Sequence, residues 1–304
     1  MLRPCAGPNT PQNPRSGATA APIRHDAGTT TEGNPLKALI LNDGNLRVGD
    51  VADPAPEAGH LLVKTLACTI CASDHHMVHH GHRLASWSQE HGGPFDFDPT
   101  QDLVLGHEIC GEVVERGGDT SGDIEVGQRV VTQAPILHTG GMDVIGYSNR
   151  FPGGFAEYMV MSEAMALRVP DTMSDAVAAL AEPLSVGMLY TRVADPRPGE
   201  VPLVIGCGAI GLATVAALRA SGVDPIIAVD YSPMRRATAG EAGADVVVDP
   251  GAEAPFAAWQ RVAPKGSGCL VFECVGAPGV LNSIFSDAPY LARVVVAGQC
   301  LDDD

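Results

Sequence analysis

Residues 201–230 read VPLVIGCGAIGLATVAALRASGVDPIIAVD and alternate apolar runs with glycines. The first run, 201–205, is rich in β-branched residues and predicts a buried parallel strand. An apolar pattern of helical period follows and ends at Gly222, and a second predicted strand, 226–229, ends on Asp230. Between the first strand and the helix stand the glycines of a G-x-G-x-x-G sequence, Gly206, Gly208 and Gly211.

This order of strand, glycine turn, helix, strand and acid is the one that binding of a dinucleotide requires. The first glycine allows a tight turn, the second lets the backbone approach a pyrophosphate, and the third lets the helix pack closely on the strand. The helix N-terminus offers free N–H groups and a partial positive charge to the phosphates. The alternative interpretation is a βαβ unit without a ligand.

The acid at the end of the second strand predicts which dinucleotide is bound. Asp230 lies 19 residues beyond Gly211, where it would accept hydrogen bonds from ribose hydroxyls and repel a 2′-phosphate, so NAD is predicted over NADP. Arg235 and Arg236 weaken this inference, because an arginine there could reach a 2′-phosphate. The predicted cofactor contacts are Gly206, Gly208, Ala209, Ile210, Gly211, Asp230, Arg235 and Val275.

Composition narrows the class of protein. The chain has 304 residues, enough for two domains, with 45% hydrophobic and 18% charged residues and no apolar run long enough to span a bilayer. A formal charge of −17 argues against nucleic acid or an anionic membrane as a partner. Eight scattered cysteines favour a reducing compartment, and we expect a cytoplasmic protein.

The chain divides by its local patterns into three parts. Residues 1–34 are rich in Pro, Gly, Thr, Asn and Ala and predict a disordered leader without the apolar core of a signal peptide. Residues 35–180 predict an antiparallel, partly closed β domain without intervening helices, up to a helical pattern at 174–193. Residues 181–304 predict a doubly wound parallel sheet of alternating strands and helices. The strands predicted in the β domain are 37–42, 59–68, 104–116, 127–131 and 155–160.

Two short segments of the predicted β domain carry potential metal ligands. CASDHH at residues 71–76 begins with Cys71, and a Gly-His-Glu sequence contains His107 and Glu108. Thiolate and imidazole are zinc ligands, and three protein ligands with an open fourth position define a catalytic zinc site. Glu182 is a further candidate, because a carboxylate inside an apolar helical run is costly unless it is paired or bound.

Other interpretations of these residues stay open. Cys68 and Cys71 form C-x-x-C, which could be half of a structural zinc site or a redox pair. The five histidines at residues 75–82 could be a metal cluster, although one relay histidine among solvated loop histidines is the simpler interpretation. Glu108 could brace the site without touching a metal.

The motifs C-x-S-D-x-H, G-H-E, E-P and G-x-G-x-x-G occur here in one order, with an acid 19 residues after the last. In this order they resemble the zinc-dependent, medium-chain alcohol dehydrogenase family, over roughly residues 37–300. The resemblance implies an α/β fold, in which an N-terminal GroES-like, β-rich catalytic domain precedes a Rossmann doubly wound parallel sheet. It also implies zinc and NAD as cofactors, a small-molecule alcohol or carbonyl substrate, and a homo-oligomer.

The same resemblance implies roles for individual residues. Cys71 and His107 look like zinc ligands, and Glu108 and Glu182 compete for the remaining carboxylate role, as in the polyol dehydrogenase branch. Ser73 looks like the hydroxyl that receives the substrate proton, and His76 like a later member of the relay to solvent.

The chain departs from the family pattern in three places. The segment after residues 127–130 has no cysteine cluster, so we expect one catalytic zinc per chain and no structural zinc. Cys71 and His107 are 36 residues apart, which is longer than the usual spacing in the family. The additional residues, 83–102, are expected near the opening of the substrate site. The chain stops after its fifth predicted nucleotide-domain strand, so we expect a C-terminally truncated form, poorly stable and weakly active alone, whose oligomer formation is doubtful.

These observations together predict a zinc-dependent oxidoreductase that transfers a hydride between a secondary alcohol or polyol and NAD. The alternatives are reduction of an aldehyde or ketone as the physiological direction, and a truncated nucleotide-binding protein without turnover.

Overall fold

The computed structural model describes residues 36–300, and antiparallel strands dominate the first half of that range. They form a three-stranded sheet in the order β2-β1-β4, a five-stranded sheet in the order β10-β6-β5-β3-β9, and the hairpin β7-β8. The elements are β1 Leu36–Asn42, β2 Asn45–Val51, β3 His60–Thr69, α1 Ala72–His91, β4 Leu103–Val104, β5 Glu108–Arg116, β6 Arg129–Thr132, β7 Pro135–His138, β8 Gly141–Val144, β9 Tyr158–Ser162 and β10 Ala166–Arg168, with a 3₁₀ turn at Glu163–Met165.

The core of this half lies on one face of the five-stranded sheet. Alternate residues of β3 and β5, such as Leu61, Val63, Ile109 and Val113, are almost fully buried, as the period of two in a strand requires. The antiparallel pairing of β3 with β5 ends where Thr69 lies opposite Glu108. This pairing sets the start of β5 beside the segment that follows β3.

One prediction for this half is wrong, because a helix of 20 residues, α1, follows β3. The histidines predicted for a loop lie on this helix, which bends at His80 (φ −132°, ψ 17°). Its buried positions have helical spacing, but half of them are polar, so the sequence lacks the apolar period that marks an amphipathic helix. The buried residues are Asp74, Met77, Ala85 and Ser88.

The strand predicted at 104–116 is also interrupted. The structure divides it into β4 and β5, which belong to different sheets and are separated by residues 105–107. Gly106 has φ +98°, a left-handed conformation that residues with a side chain rarely adopt, and it turns the chain before His107.

The second half of the described chain is a parallel sheet with helices, which confirms the predicted fold class. Its strand order is β13-β12-β11-β14-β15, and all four pairings are parallel. The helical pattern predicted at 174–193 is two helices, which meet at Leu180. The elements are α2 Asp175–Ala179, α3 Ala181–Ala194, β11 Glu200–Ile205, α4 Ala209–Ala220, β12 Ile227–Val229, α5 Pro233–Ala242, β13 Val246–Val248, α6 Pro255–Val262, β14 Gly268–Glu273, α7 Val280–Asp287 and β15 Arg293–Val296.

Some expectations are not tested by this structure. The predicted leader at 1–34 and the chain end at 301–304 lie outside the described residues, and the domain boundary at residue 180 stays a prediction. Within residues 36–300, no helix combines the length and apolar character needed to cross a membrane.

Candidate metal centre and nucleotide cleft

Three predicted metal ligands come together between the start of α1 and the start of β5. One potential ligand atom from each of Cys71, His107 and Glu108 lies within 4.8 Å of the other two. Cys71 is the N-cap residue of α1 and is half-buried, whereas His107 and Glu108 are buried. The end of β3, the start of α1 and the turn before β5 therefore build one site from residues 36 positions apart.

Asp74 connects two of these residues. Its Oδ2 accepts a hydrogen bond from the backbone N–H of Cys71 at 2.9 Å, and its Oδ1 lies 3.7 Å from Nδ1 of His107. Burial lowers the pKa of His107, which favours the neutral imidazole with a lone pair on one nitrogen. A carboxylate next to the other nitrogen orients a ligand histidine in many metal sites.

The polar atoms of this site fit a zinc ion. Oε2 of Glu108 accepts a hydrogen bond from the Thr69 hydroxyl, but its Oε1 is buried and has no hydrogen-bond partner within residues 36–300. Nδ1 of His107 is likewise buried and makes no hydrogen bond within the described residues, although Oδ1 of Asp74 lies 3.7 Å away. A buried carboxylate oxygen beside a thiol and an imidazole is costly unless a cation binds there, and sulfur, nitrogen and oxygen are the donors that zinc takes.

Glu182 lies near the start of α3, outside the cluster of three. Burial, with smaller contributions from the neighbouring charges of Glu108 and Asp74, raises its pKa to about 7. Glu182 is therefore close enough to interact with both carboxylates, and the choice between Glu108 and Glu182 as metal ligand stays open.

Ser73 has a partner that the sequence did not indicate. Tyr147 donates a hydrogen bond from its Oη to Oγ of Ser73 at 2.6 Å, and its ring centroid lies 5.2 Å from that of His107. Burial raises the pKa of Tyr147, so it stays a hydrogen-bond donor at neutral pH. A tyrosine in a glycine-rich loop carries no sequence signal that distinguishes this role.

His76 lies on α1 three residues after Ser73 and is half-buried. Burial, followed by the neighbouring histidines, lowers its pKa, and its Nδ1 is buried without a hydrogen-bond partner in the described residues. No hydrogen bond joins His76 to Ser73 in the part of the chain that the structure describes.

The glycine turn after β11 has the close approaches predicted for it. Gly206 has φ +94°, and a Cβ on Gly211 would lie 1.8 Å from the carbonyl oxygen of Gly206, so only glycine lets α4 start this close to the strand. A Cβ on Gly208 would meet no atom within 4 Å, and this residue is the N-cap of α4. Ala209 and Ile210 are the first two residues of α4, so their N–H groups have no partner within the helix and can bind a ligand.

Asp230 lies beside this turn and is buried. Its Oδ2 accepts a hydrogen bond from the N–H of Cys207 at 2.9 Å, and its Oδ1 accepts one from the N–H of Ser232 at 2.7 Å. The two arginines differ: Arg236 donates to two backbone carbonyls and lies 3.1 Å from Asp249, whereas Arg235 is exposed and its Nη1 lies 3.8 Å from Asp230.

A buried carboxylate that was not predicted from the sequence, that of Glu273, lies on the other side of the glycine turn. Oε1 of Glu273, at the end of β14, accepts hydrogen bonds from the N–H groups of Val275 and Gly276 at 2.7 and 2.9 Å. Val275 lies next to Gly206, since a Cβ there would be 2.8 Å from Val275 Cγ2. The available signal was an acidic residue that ends the apolar strand CLVFE.

A cavity of about 450 Å³ lies between the second half of α1 and the loops that follow β14 and β15. Trp87 and Phe95 line it, and the ring of Phe95 lies 5.4 Å from that of Tyr147, which connects the cavity to the metal cluster. Phe97, expected near the opening of the substrate site, is buried in the adjacent hydrophobic core. The lining residues are Arg83, Leu84, Trp87, Phe95, Glu273, Gly276, Ala277, Leu281, Val296, Gly298, Gln299 and Cys300.

Both halves of the chain match models of known protein families. Residues 57–171 match the alcohol dehydrogenase GroES-like domain, and residues 209–303 match the zinc-binding dehydrogenase family.

Individual relatives are similar over most of the chain. (R,R)-butanediol dehydrogenase of Bacillus subtilis (strain 168) is 32% identical over 84% of this chain and 75% of its own length. Sorbitol dehydrogenase of Bos taurus is 30% identical over 79% of this chain and 68% of its own length. A Sinorhizobium meliloti 1021 structure, described as a zinc-binding dehydrogenase and bound to NADP, superposes with a TM-score of 0.73 at 29% identity, over 90% of this chain and 79% of that one.

Proposed function

Because the chain belongs to the zinc-dependent, medium-chain alcohol dehydrogenase family, we propose that it oxidises a secondary alcohol or polyol with NAD at the cluster of Cys71, His107 and Glu108. Membership makes it an oxidoreductase that uses zinc and a nicotinamide cofactor to transfer a hydride to or from an alcohol. One observation supports the proposal above all: three potential zinc ligands lie together in a chain that also has the glycine turn before α4.

Cys71 and His107 would hold the zinc, with Glu108 or Glu182 as the carboxylate ligand. Zinc, when bound, supplies a Lewis acid that lowers the pKa of an alcohol at the site. Asp74 holds the N–H of Cys71 and lies beside the His107 ring, so it fixes the positions of both ligands. Glu108 is held on one side by Thr69.

The proton of the alcohol would leave through residues at the start of α1. Tyr147 donates to Ser73, which leaves Ser73 Oγ with one lone pair for the substrate proton and with its own proton to pass on. His76 is the proposed next member, since burial lowers its pKa and keeps the imidazole able to accept a proton near neutral pH.

The cofactor would lie on the turn before α4. The open N–H groups at the start of α4 suit the pyrophosphate, and Asp230 suits the adenosine ribose. NAD is favoured over NADP because the buried Asp230 carboxylate would repel a 2′-phosphate and Arg236 is held by Asp249 and two carbonyls. Of Arg235 and Arg236, only Arg235 is exposed and could contact a 2′-phosphate.

The substrate would enter the cavity between α1 and the loops after β14 and β15. Its volume of about 450 Å³ is at the small end of ligand sites, which suits a short alcohol beside the nicotinamide ring. Trp87 and Phe95 give it apolar walls. Relatives named for butanediol and sorbitol support a vicinal diol or polyol as the substrate class.

The proposal is tested by turnover and metal content together. The zinc-loaded protein is assayed for reduction of NAD and NADP with a panel of primary alcohols, secondary alcohols and polyols, alongside Cys71→Ser as the metal-site control. We expect turnover of secondary alcohols with NAD that Cys71→Ser abolishes. Equal turnover in Cys71→Ser, or turnover restricted to primary alcohols, would contradict the proposal.

A further inference from the structure

Four histidines of α1 lie side by side on the surface of the helix. His75 and His79 are one helical turn apart, as are His76 and His80, and the ring centroids are 4.3 Å apart in the first pair and 6.0 Å in the second. The neighbouring rings of the two pairs are 6.3 and 6.4 Å apart. The helix therefore gathers four imidazoles into one patch, which we call the histidine patch.

The imidazoles of the histidine patch contact one another rather than other polar groups. Within residues 36–300, none of the four takes part in a hydrogen bond or ion pair, and Nδ1 of His76 is buried without a partner. The next histidine of the helix behaves differently, since Nε2 of His82 lies 2.6 Å from Oδ1 of Asp43.

Exposure and charge favour the binding of a cation at the histidine patch. Burial, and then the neighbouring His80, His75 and His79, lowers the pKa of His76, because charged imidazoles repel each other at these distances. His75 and His79 are exposed, so an ion from solution reaches them directly. The formal charge of −17 also favours the approach of a cation.

We propose that the histidine patch is a second metal site, which binds a divalent transition-metal ion of the class that prefers imidazole, such as Ni²⁺, Cu²⁺ or Zn²⁺. Two histidines four residues apart on one face of a helix place their ring nitrogens where one ion can bind both, and imidazole nitrogen selects these metals over Mg²⁺ or Ca²⁺. His75 and His79 form the primary pair. Within residues 36–300 no three histidines of the patch bring ring nitrogens within 4.8 Å of one another, so His76 and His80 stay outside the coordination and water completes it.

The proposed site is weaker than the cluster at Cys71 and has a different effect. The primary pair is open to water, so its ion exchanges readily, unlike an ion held by the half-buried thiolate of Cys71 together with the buried side chains of His107 and Glu108. An ion held by His75 and His79 places positive charge beside the ring of His76, whose centroid lies 6.3 Å from that of His75, and this charge opposes proton transfer through His76. This consequence rests on the role of His76 in the proposed function, whereas the existence of the site does not.

Calorimetric titration of Ni²⁺ tests the site on protein that already carries its catalytic zinc and has been dialysed free of loosely held ions. We expect one Ni²⁺ to bind, and H75N/H79N to weaken its binding at least ~10-fold through loss of both primary ligands. H82N is the matched control, since it removes an exposed histidine of the same helix that lies outside the patch, and it should bind as the parent does. Mg²⁺ should not bind.

Turnover in the presence of Ni²⁺ is the second readout. Nickel should slow the parent and H82N, whereas H75N/H79N should have parental activity without nickel and resist it. The proposed site is overturned if the parent does not bind Ni²⁺ or if H75N/H79N binds it as the parent does. The single variants H75N and H79N repeat this comparison with only one histidine replaced in each protein. Equal inhibition of H75N/H79N and parent overturns the link to His76. Nickel binding in a protein without turnover supports the site and contradicts the proposed function.

Discussion

Tyr147 reaches Ser73 across 74 positions of the sequence, and this contact illustrates how the site is assembled from single residues. Asp74 serves both Cys71 and His107, while Glu273 holds two N–H groups of the loop beside the glycine turn. In each case one buried polar side chain fixes the position of groups that would bind metal, substrate or cofactor. Such side chains are costly to remove, because their partners are then left unpaired.

Replacing Tyr147 with phenylalanine should slow catalysis without preventing folding. The substitution removes the hydrogen bond to Ser73 and keeps the ring beside His107, so we expect kcat to fall about five- to tenfold, as loss of one hydrogen bond of about 1 kcal/mol predicts. Affinity for NAD should not change. Steady-state kinetics on Tyr147→Phe, with Tyr158→Phe as the matched control, measures this effect, and an unaltered kcat would show that Tyr147 has no positioning role.

Asp230 should determine the preference for NAD. Asp230→Ser and Asp230→Asn both remove the negative charge, and asparagine keeps an oxygen that can accept from the N–H of Cys207 or Ser232. We expect both variants to narrow the difference between the dissociation constants of NADP and NAD. Fluorescence titration with each cofactor is the measurement. Equal affinity of the parent for the two cofactors would contradict the role assigned to Asp230.

At the scale of elements, α1 and β15 are each fixed by a carboxylate. α1 begins at the metal cluster, and the Asp74 carboxylate of its first turn accepts from the N–H of Cys71. β15 pairs with β14, and its Arg293 reaches over that strand to Glu200 of β11, with Nε and Nη2 donating to Oε1 and Oε2 at 2.8 and 2.7 Å. A two-bond contact of this kind ties three strands of the parallel sheet together.

The contact between Glu200 and Arg293 should contribute stability that depends on pH. The hydrogen bonds from Arg293 hold the pKa of Glu200 below its usual value, so the contribution is complete above the usual pKa of about 4.3 and is lost as pH falls through the lower folded value. We expect Glu200→Gln to lower the free energy of unfolding by about 1.5 kcal/mol at neutral pH. The difference should shrink toward the lowest pH at which both proteins fold.

Urea unfolding of Glu200→Gln and parent over a range of pH measures this difference. Glu253→Gln is the control, because Glu253 makes a similar two-bond contact with Arg261, but at the protein surface, where it should contribute little. A difference for Glu200→Gln that stays constant with pH would contradict the assignment.

At the scale of the whole molecule, the surroundings of the cluster of Cys71, His107 and Glu108 include segments from both halves of the chain. Cys71, His107 and Glu108 come from the antiparallel half, while Glu182 comes from α3, which leads into the parallel sheet. Trp87 and Phe95 face loops of the parallel sheet across the cavity. Zinc binding should therefore stabilise the folded protein as a whole, because a ligand that binds only the folded state shifts the unfolding equilibrium.

We expect one tightly held zinc per chain after dialysis, and its removal by a chelator should lower the melting temperature of the parent. Cys71→Ser should lose the zinc and show no further response to the chelator. Cys68→Ser is the matched control, since Cys68 lies close to Gly106 but not in the cluster of three, and it should keep the metal. Elemental analysis and thermal unfolding measure both effects. Two tightly held zinc ions in both the parent and H75N/H79N would show that a structural zinc site exists.

The sequence alone determined the fold of the parallel nucleotide-binding unit, and it was enough to identify the potential metal ligands. Strand, glycine turn, helix, strand and Asp230 occupy 30 consecutive residues, and their conformations follow from local sterics and local apolar period. Cys71, His107 and Glu108 could be identified because each belongs to a short motif of chemically distinctive residues, and the structure places the three together.

Only the tertiary structure decided the rest. α1 was not predicted because Asp74 and Ser88 occupy its buried face. Polar residues become buried only when segments outside the helix supply their partners, here His107 and the N–H of Phe95. The break at residues 105–107 depends on Gly106, where a Cβ would lie 2.9 Å from Cys68 and Phe155. Contacts such as that of Tyr147 with Ser73 join residues far apart in sequence, so they depend on how the sheets pack, and no local pattern encodes them.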